Sequence, residues 1–259
     1  MKLILCDGDS WTSGDIINPE LELAGKEHAN VNDPSNDDYR LPKVWPHKLG
    51  KLLNVKTLNI ATAGSSNDAI VRRTIRKVKE LLLDYKPKDL FVIVGWSSPE
   101  RKDFYYTGEW ESWETIYPVQ NYQSIPDKDI DTFYKIYQEK FWNEPEYVER
   151  YMQQNLLLHY FLKEHKVKHL FFDAFYETKG EGSMFNSLNI DQIVMKLGYE
   201  TKGHYSLTEY FLNLKKEFCL QESFRNVIMD IDDKLFGDDY HPTEKGHEIW
   251  SRYLYDKLI

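Results

Sequence analysis

The stretch that decides the fold of this chain runs Cys6-Asp7-Gly8-Asp9-Ser10-Trp11-Thr12-Ser13-Gly14-Asp15. It follows a short apolar run, Leu3-Ile4-Leu5, which predicts a first buried strand. Ser10 therefore stands where a strand turns into a loop, held by the backbone in the way that a nucleophile needs. Asp, Gly and Ser are also ordinary turn residues, so the stretch alone is equally typical of a polar turn.

A second polar segment near the C-terminus supplies the groups that such a serine requires. Asp238 and His241 lie three residues apart, immediately before Pro242 and the apolar spacing of a helix. An imidazole can take the serine proton, and a neighbouring carboxylate fixes its tautomer and stabilises the imidazolium. We therefore predict a catalytic triad of Ser10, His241 and Asp238.

Together these two segments resemble the SGNH (GDSL-type) hydrolases. The family's first block, Gly-Asp-Ser-x-x-x-Gly, matches residues 8–14, and its last block, Asp-x-x-His-Pro, matches residues 238–242. Asn59 followed by Gly64 looks like the second block. The third block, Gly-x-Asn, falls on residues 95–97, where Ser97 replaces the asparagine. The resemblance implies an esterase or lipase that uses no cofactor and no metal.

The same resemblance implies the donors that would stabilise an oxyanion. These are the backbone N–H groups of Ser10 and Gly64 and a side-chain amide from the third block. Losing one such donor costs about 2.7–4 kcal/mol of transition-state stabilisation. Because Ser97 offers only a short hydroxyl, the position stays open to the other candidates, which are Ser98, Asn67 and Arg101. Asp239 is likewise an alternative to Asp238, although its spacing to His241 matches the motif less well.

Apolar runs alternate with helix patterns, which predicts a three-layer α/β/α fold with a mainly parallel, flavodoxin-like sheet. Strands are expected at 3–5, 55–60, 90–94 and 169–174, with a short strand or connector at 227–231. Helices are expected at 44–53, after Ser65 or Ser66, at 129–142, 145–165, about 191–197 and 206–220. Because ligands bind beyond the carboxyl ends of parallel strands, Ser10, Gly64 and Ser97 are expected to meet.

The length of 259 residues and the 41% hydrophobic content fit a single domain over 1–259. Residues 96–167 interrupt the strand and helix alternation and are rich in Trp and Tyr, which predicts a helical insertion or lid. Aromatic residues at helical spacing more often form core between helices than a sugar site. They still incline us slightly towards an O-acetylated carbohydrate as substrate.

The composition argues against several classes of partner. A net charge of −9 is unfavourable for binding nucleic acid or anionic membranes. Cys6 and Cys219 are too few for a disulfide framework and are predicted to be buried thiols, and no Cys or His spacing suggests a zinc site. Without a signal-peptide pattern or an apolar run of membrane-spanning length, we expect a cytoplasmic protein, unless a larger assembly carries it outside. Its oligomeric state stays open.

Two other functions compete with the esterase. Residues 3–9 also resemble the nucleophile motif of haloacid-dehalogenase-type phosphatases, which would hold Mg²⁺ with Asp7, Asp9 and either Asp238 or Asp239. That interpretation leaves Gly14, Gly64 and His241 unexplained. The other alternative is a hydrolase fold kept as a non-catalytic binding or structural module, with Ser97 as a mark of lost activity.

Overall fold

A four-stranded parallel sheet forms the centre of the computed structural model, which describes residues 1–20, 33–107, 111–116, 128–175 and 207–259. Its strands lie in the order β2 (Lys56–Asn59), β1 (Leu3–Asp7), β3 (Leu90–Trp96) and β6 (Lys168–Asp173). Leu5 of β1 is aligned with Leu58 on one side and with Val92 on the other. The predicted α/β fold with a parallel sheet is therefore confirmed.

Both faces of the sheet are buried, because successive side chains of a strand point to opposite faces. Leu3 and Leu5 of β1 belong to one apolar core, whereas Ile4 and Cys6 belong to the other. Both cysteines are buried free thiols, as predicted. A strand buried on two sides reads as an unbroken apolar run, which is why β1 and β3 could be recognised from sequence.

Helices cover the two faces and complete the three layers. One core contains residues of α4 (Asn67–Leu81), α6 (Glu144–Glu164) and α7 (Leu207–Lys215). The other contains residues of α3 (Trp45–Leu53), α8 (Phe224–Met229) and α9 (Glu244–Leu258). Two shorter helices are α1 (Ser10–Ser13) and α2 (Asp37–Arg40). Ser66, not Ser65, caps α4, because its side chain accepts the N–H of Ala69.

Of the two alternatives predicted for residues 227–231, a short strand or a connector, the strand is wrong. Residues 227–231 lie mainly in helix α8 and the turn after it, and Ser223 caps that helix by accepting the N–H of Asn226. A short apolar run cannot be assigned to strand or helix by periodicity alone. The capping serine decides it here.

The segment between β3 and β6 adds an antiparallel hairpin and a helical region. The hairpin pairs β4 (Lys102–Thr107) with β5 (Glu111–Ile116), and α5 (Lys128–Ile136) continues into a π-helical turn at Tyr137–Phe141 before α6. Ile116, Ile130, Tyr134 and Tyr137 form a small separate core there. The assignment of residues 96–167 as an insertion within one domain stays a prediction.

Two further points concern the described residues only. None of their helices combines the length and the apolar content needed to cross a bilayer. The helix predicted at 191–197 and the cap predicted at Ser206 lie outside the described residues.

Candidate active site

Ser10 is held at the carboxyl end of β1 by the start of helix α1. Asp9 caps that helix, and its carboxylate accepts the N–H of Trp11 at 3.0 Å. Gly14 ends the helix with φ 83°, and a Cβ there would lie 2.0 Å from Cγ1 of Val44. Only glycine meets both conditions, which explains its place four residues after the serine.

His241 is carried by a small hairpin between α8 and α9. The N–H of Gly237 donates to the His241 carbonyl oxygen at 2.8 Å, and the N–H of Thr243 donates to that of Leu235, also at 2.8 Å. Thr243 caps α9, since its hydroxyl oxygen accepts the N–H of Gly246. The base of the hairpin is therefore anchored to a long helix.

The structure brings the predicted nucleophile and the predicted base together. Nε2 of His241 lies 2.9 Å from Oγ of Ser10, although 231 positions separate the two residues. Ser10 is 6% exposed, and the side chain of His241 is 24% exposed. The distance is that of a hydrogen bond from the serine hydroxyl to the imidazole.

The carboxylate beside His241 differs from the predicted one. Nδ1 lies 3.2 Å from Oδ2 of Asp239 and 3.3 Å from Oδ2 of Asp15, without hydrogen-bond alignment to either. Asp239 is held there because its Oδ1 accepts the N–H of His241 at 3.0 Å. Asp238 sits exposed on the hairpin tip and is not among the acids within 4 Å of this imidazole. The prediction that Asp238 lies beside His241 is thus corrected: the acids found there are Asp239, its stated alternative, and Asp15.

No sequence motif assigns a role to Asp15, although it ends the opening stretch. Burial raises the pKa of its carboxyl; the His241 imidazole lowers this pKa, Asp239 raises it, and the Arg40 guanidinium lowers it. Arg40 is itself buried and donates to the carbonyl oxygen of Ser13 and to the Asp37 carboxylate. The only signal for Asp15 was its position directly after Gly14.

A buried ion pair holds the end of β1 in place. Asp7 is completely buried, and its carboxylate accepts hydrogen bonds from the Arg73 guanidinium and the Thr74 hydroxyl. Arg73 also donates to the carbonyl oxygen of Gly8 at 3.0 Å and to Oγ of Ser65 at 3.1 Å. Helix α4 is in this way tied to the segment that carries Ser10. The sequence showed Asp7 but not its partner.

The side chains predicted as third oxyanion donors have other partners. The Ser97 hydroxyl donates to Asp9 at 2.8 Å and accepts from Arg101 at 2.8 Å. The Asn67 amide is used on the backbone of Ser97, accepting its N–H at 2.8 Å and donating to its carbonyl oxygen at 3.1 Å. These contacts hold the loop together, and the role of Ser97 or Asn67 as an oxyanion donor stays a prediction.

Two further predicted residues stay at the edge of this network. The Ser98 hydroxyl donates to Glu100 while the residue lines the cleft described next. Gly64 has φ 79°, in the region that favours glycine, in the turn after β2. Its role as a backbone donor stays a prediction.

A cleft of about 750 Å³ opens at Ser10 and His241. Its aromatic lining comes from Trp11, Phe175, Phe236 and Tyr240, and its cationic lining from Arg101 and Arg225. Among the described residues of 96–167, only Ser98 and Arg101 reach it. Trp96 and Tyr151 are buried in the main core. The described aromatic residues of that segment thus give no support for a sugar site.

His247, six residues beyond His241, is a packing residue. It is fully buried on α9, with its ring centroid 5.7 Å from that of Phe224. Burial, with smaller contributions from the charges of Lys48 and His241, lowers its pKa to about 3. It is a neutral imidazole and does not compete with His241 for the role of base.

Metal chemistry has two candidate arrangements here. The phosphatase alternative needs free carboxylates at Asp7 and Asp9, but Arg73 pairs with the first and Arg101 lies 3.3 Å from the second. Asp15, Asp239 and His241 place their ligand atoms within 4.8 Å of one another, close enough to share an ion. A histidine between carboxylates is equally the arrangement of a triad, so this cluster does not by itself favour a metal.

Comparisons with known proteins show a family and a fold. The model of a family of unknown function, DUF6071, matches residues 24–196. No curated protein matches the chain. The solved structure of TesA is 10% identical, with a TM-score of 0.50 over 99% of this chain and 98% of that one. At this identity the likeness concerns the fold alone.

Other solved structures that match over nearly the full chain carry related descriptions. A member of the lipolytic protein G-D-S-L family from Veillonella parvula is 12% identical, with a TM-score of 0.46 over 99% of this chain and 97% of that one. The psychrotrophic esterase EstA from Pseudoalteromonas sp. is also 12% identical, with a TM-score of 0.46 over 100% and 97% of the two chains. The structural neighbours are thus GDSL-type lipolytic proteins and esterases, the family that the motifs resemble.

Proposed function

The chain belongs to DUF6071, a family of unknown function. We propose that this member of the family is a serine esterase. The observation that carries the proposal is the 2.9 Å contact between Oγ of Ser10 and Nε2 of His241 at the mouth of a cleft. A hydroxyl at this distance from an imidazole, beyond the carboxyl end of a parallel strand, is poised for general-base activation.

In the proposed reaction, Nε2 of His241 takes the Ser10 proton while Oγ attacks the ester carbonyl carbon. The imidazolium then donates this proton to the departing alkoxide, which leaves an acyl-serine and a free alcohol. A water molecule gives a proton to Nε2 and attacks the acyl-serine. The carboxylic acid departs, and Oγ regains the proton.

The charges around His241 support this cycle. The imidazolium that forms in each half-reaction lies beside the carboxylates of Asp15 and Asp239, which stabilise its positive charge. A proton on Nδ1 leaves Nε2 free to accept, which is the tautomer that the carboxylates favour.

We propose that Arg101 is the third donor to the oxyanion, in the role that an asparagine has in the resembled family. Its guanidinium lines the cleft and donates to Ser97, the residue that stands at the asparagine position. The backbone N–H of Ser10 is the other proposed donor to the oxyanion. The proposed substrate is an acyl or acetyl ester, a class that includes O-acetylated carbohydrates.

The proposal is tested by covalent labelling with a fluorophosphonate probe near neutral pH. We expect the probe to modify Ser10, identified by peptide mass spectrometry, and to leave a Ser10→Ala variant unmodified. Ser98→Ala is the matched control, because Ser98 lines the same cleft but donates to Glu100. Labelling that persists in Ser10→Ala, or no labelling of the wild type, would contradict the esterase and favour the binding module.

A further inference from the structure

The residue before His241 has an unusual backbone. Tyr240 closes a tight turn, in which its N–H donates to the carbonyl oxygen of Gly237 at 3.0 Å. Its φ is 62°, in the left-handed region that glycine, asparagine and aspartate adopt far more readily than a bulky aromatic residue. A tyrosine here is strained, and strain of this kind points towards a function.

The Tyr240 side chain also lacks a structural role within the described part of the chain. The residue is 80% exposed, and no hydrogen bond or ring contact of its side chain is found among the described residues. It nevertheless lines the cleft together with Ser10 and His241. Folding alone gives no reason for an aromatic ring at this strained position.

The other aromatic residues of the cleft behave differently. Trp11 packs edge-on against Phe175 at 4.8 Å between ring centroids and lies 5.5 Å from Phe236. Trp11 thus packs against both phenylalanines, and the three side chains form an apolar part of the cleft lining. Tyr240, by contrast, lines the cleft while it is 80% exposed, so most of its surface is accessible to a ligand.

We propose that Tyr240 is a specificity-determining residue that stacks on a ring in the substrate, so that the preferred esters carry a ring on the alcohol side. This inference rests on the esterase proposed above. Both an aromatic ring and the C–H face of a sugar ring can stack on tyrosine. Tyr240 directly precedes His241, the base that protonates the leaving alkoxide, and lines the same cleft.

The test measures kcat/KM for phenyl acetate, for an acetylated sugar and for ethyl acetate. The phenyl ratio is the value for phenyl acetate divided by that for ethyl acetate, and the sugar ratio is the value for the acetylated sugar divided by that for ethyl acetate. In Tyr240→Gly we expect at least one ratio to fall about 2- to 12-fold, the range that corresponds to one aromatic pair. Tyr240→Phe keeps the ring and should keep the ratio. Tyr240→Gly should also melt at a higher temperature, since glycine removes the strain.

Lys166→Gly is the matched control. Lys166 has φ 56° and is exposed on the connection between α6 and β6. Its replacement should likewise raise the melting temperature, but it should leave both ratios unchanged. The stability gain is in this way separated from the change in specificity.

The outcomes separate the two proposals. A fall in the phenyl ratio alone identifies an aromatic ring, a fall in the sugar ratio alone identifies a sugar, and a fall in both supports either ring. Ser10-dependent hydrolysis with both ratios unchanged in Tyr240→Gly would overturn this inference and leave the esterase standing, as would a lower melting temperature. If the wild type hydrolyses none of the three esters, both proposals fail.

Discussion

The acid that assists His241 can be identified by replacing each nearby aspartate with asparagine. Asparagine keeps an oxygen acceptor and nearly the same volume, so the backbone N–H that donates to Asp239 can keep its partner. The substitution removes the charge and little else. The three single variants are Asp15→Asn, Asp239→Asn and Asp238→Asn.

The expected sizes follow from distance and exposure. At 3.2–3.3 Å from Nδ1, a carboxylate attracts an imidazolium by about 5 kcal/mol at an effective dielectric constant near 20, and by about 1 kcal/mol in bulk water. The Asp15 side chain is 24% exposed and that of Asp239 is 58% exposed, so water screens Asp239 more strongly. Asp15 should therefore contribute more.

We expect kcat/KM for 4-nitrophenyl acetate to fall about 100- to 1000-fold in Asp15→Asn, equivalent to about 3–4 kcal/mol, and about tenfold in Asp239→Asn. The double variant should lose about 10⁴-fold, the loss known for a triad whose acid is replaced by its amide. Asp238→Asn should stay within about twofold of the wild type, because a solvated charge that does not contact the imidazole contributes little. Circular dichroism spectra check that each variant is folded.

The reasoning is refuted if Asp238→Asn loses as much activity as Asp15→Asn. That result would mean that the hairpin tip rearranges when substrate binds and presents the acid that the motif predicts. Equal activity of the wild type and the double variant would refute the role of both carboxylates.

Two further predictions concern stability. The pKa of His247 is about 3 in the folded state and about 6.5 in the unfolded chain. As the pH falls below 6.5, the unfolded chain therefore binds a proton that the folded protein does not. The contribution of neutral His247 to the free energy of unfolding is complete above pH 6.5 and is lost as the pH falls towards 3. Between neutral pH and pH 5, the free energy of unfolding of His247→Met should therefore fall by about 2 kcal/mol less than that of the wild type, measured by urea unfolding at both pH values. Equal losses in the variant and the wild type would contradict this. Arg73→Met leaves the Asp7 carboxylate buried without its cation and should lower the free energy of unfolding by about 2–4 kcal/mol, somewhat less than for a fully buried pair because the Arg73 side chain is 25% exposed. Asp7→Asn in the same chain should restore at least half of that loss in urea unfolding at neutral pH, and a double variant no more stable than Arg73→Met would refute the pairing argument.

The sequence by itself determined the scaffold and the two ends of the site. Residues 3–5 and 90–94 are unbroken apolar runs because their strands are buried on both faces, and burial is recorded directly in composition. Ser10 and His241 could be paired because each lies in a local sequence pattern. Ser10 comes at the end of a strand and His241 just before the start of a helix, and one contiguous stretch of chain encodes each pattern.

Only the tertiary structure decided which side chains surround that pair. Asp239 lies beside His241 in place of Asp238 because its carboxylate accepts the backbone N–H of His241, and Asp15 reaches the same imidazole from the distant N-terminal segment. Arg73 contacts Asp7 although 66 positions separate them, and no local sequence pattern predicts such a contact. Spacing along a chain specifies which face of a helix or strand a residue occupies, whereas contacts between loops depend on how those elements pack.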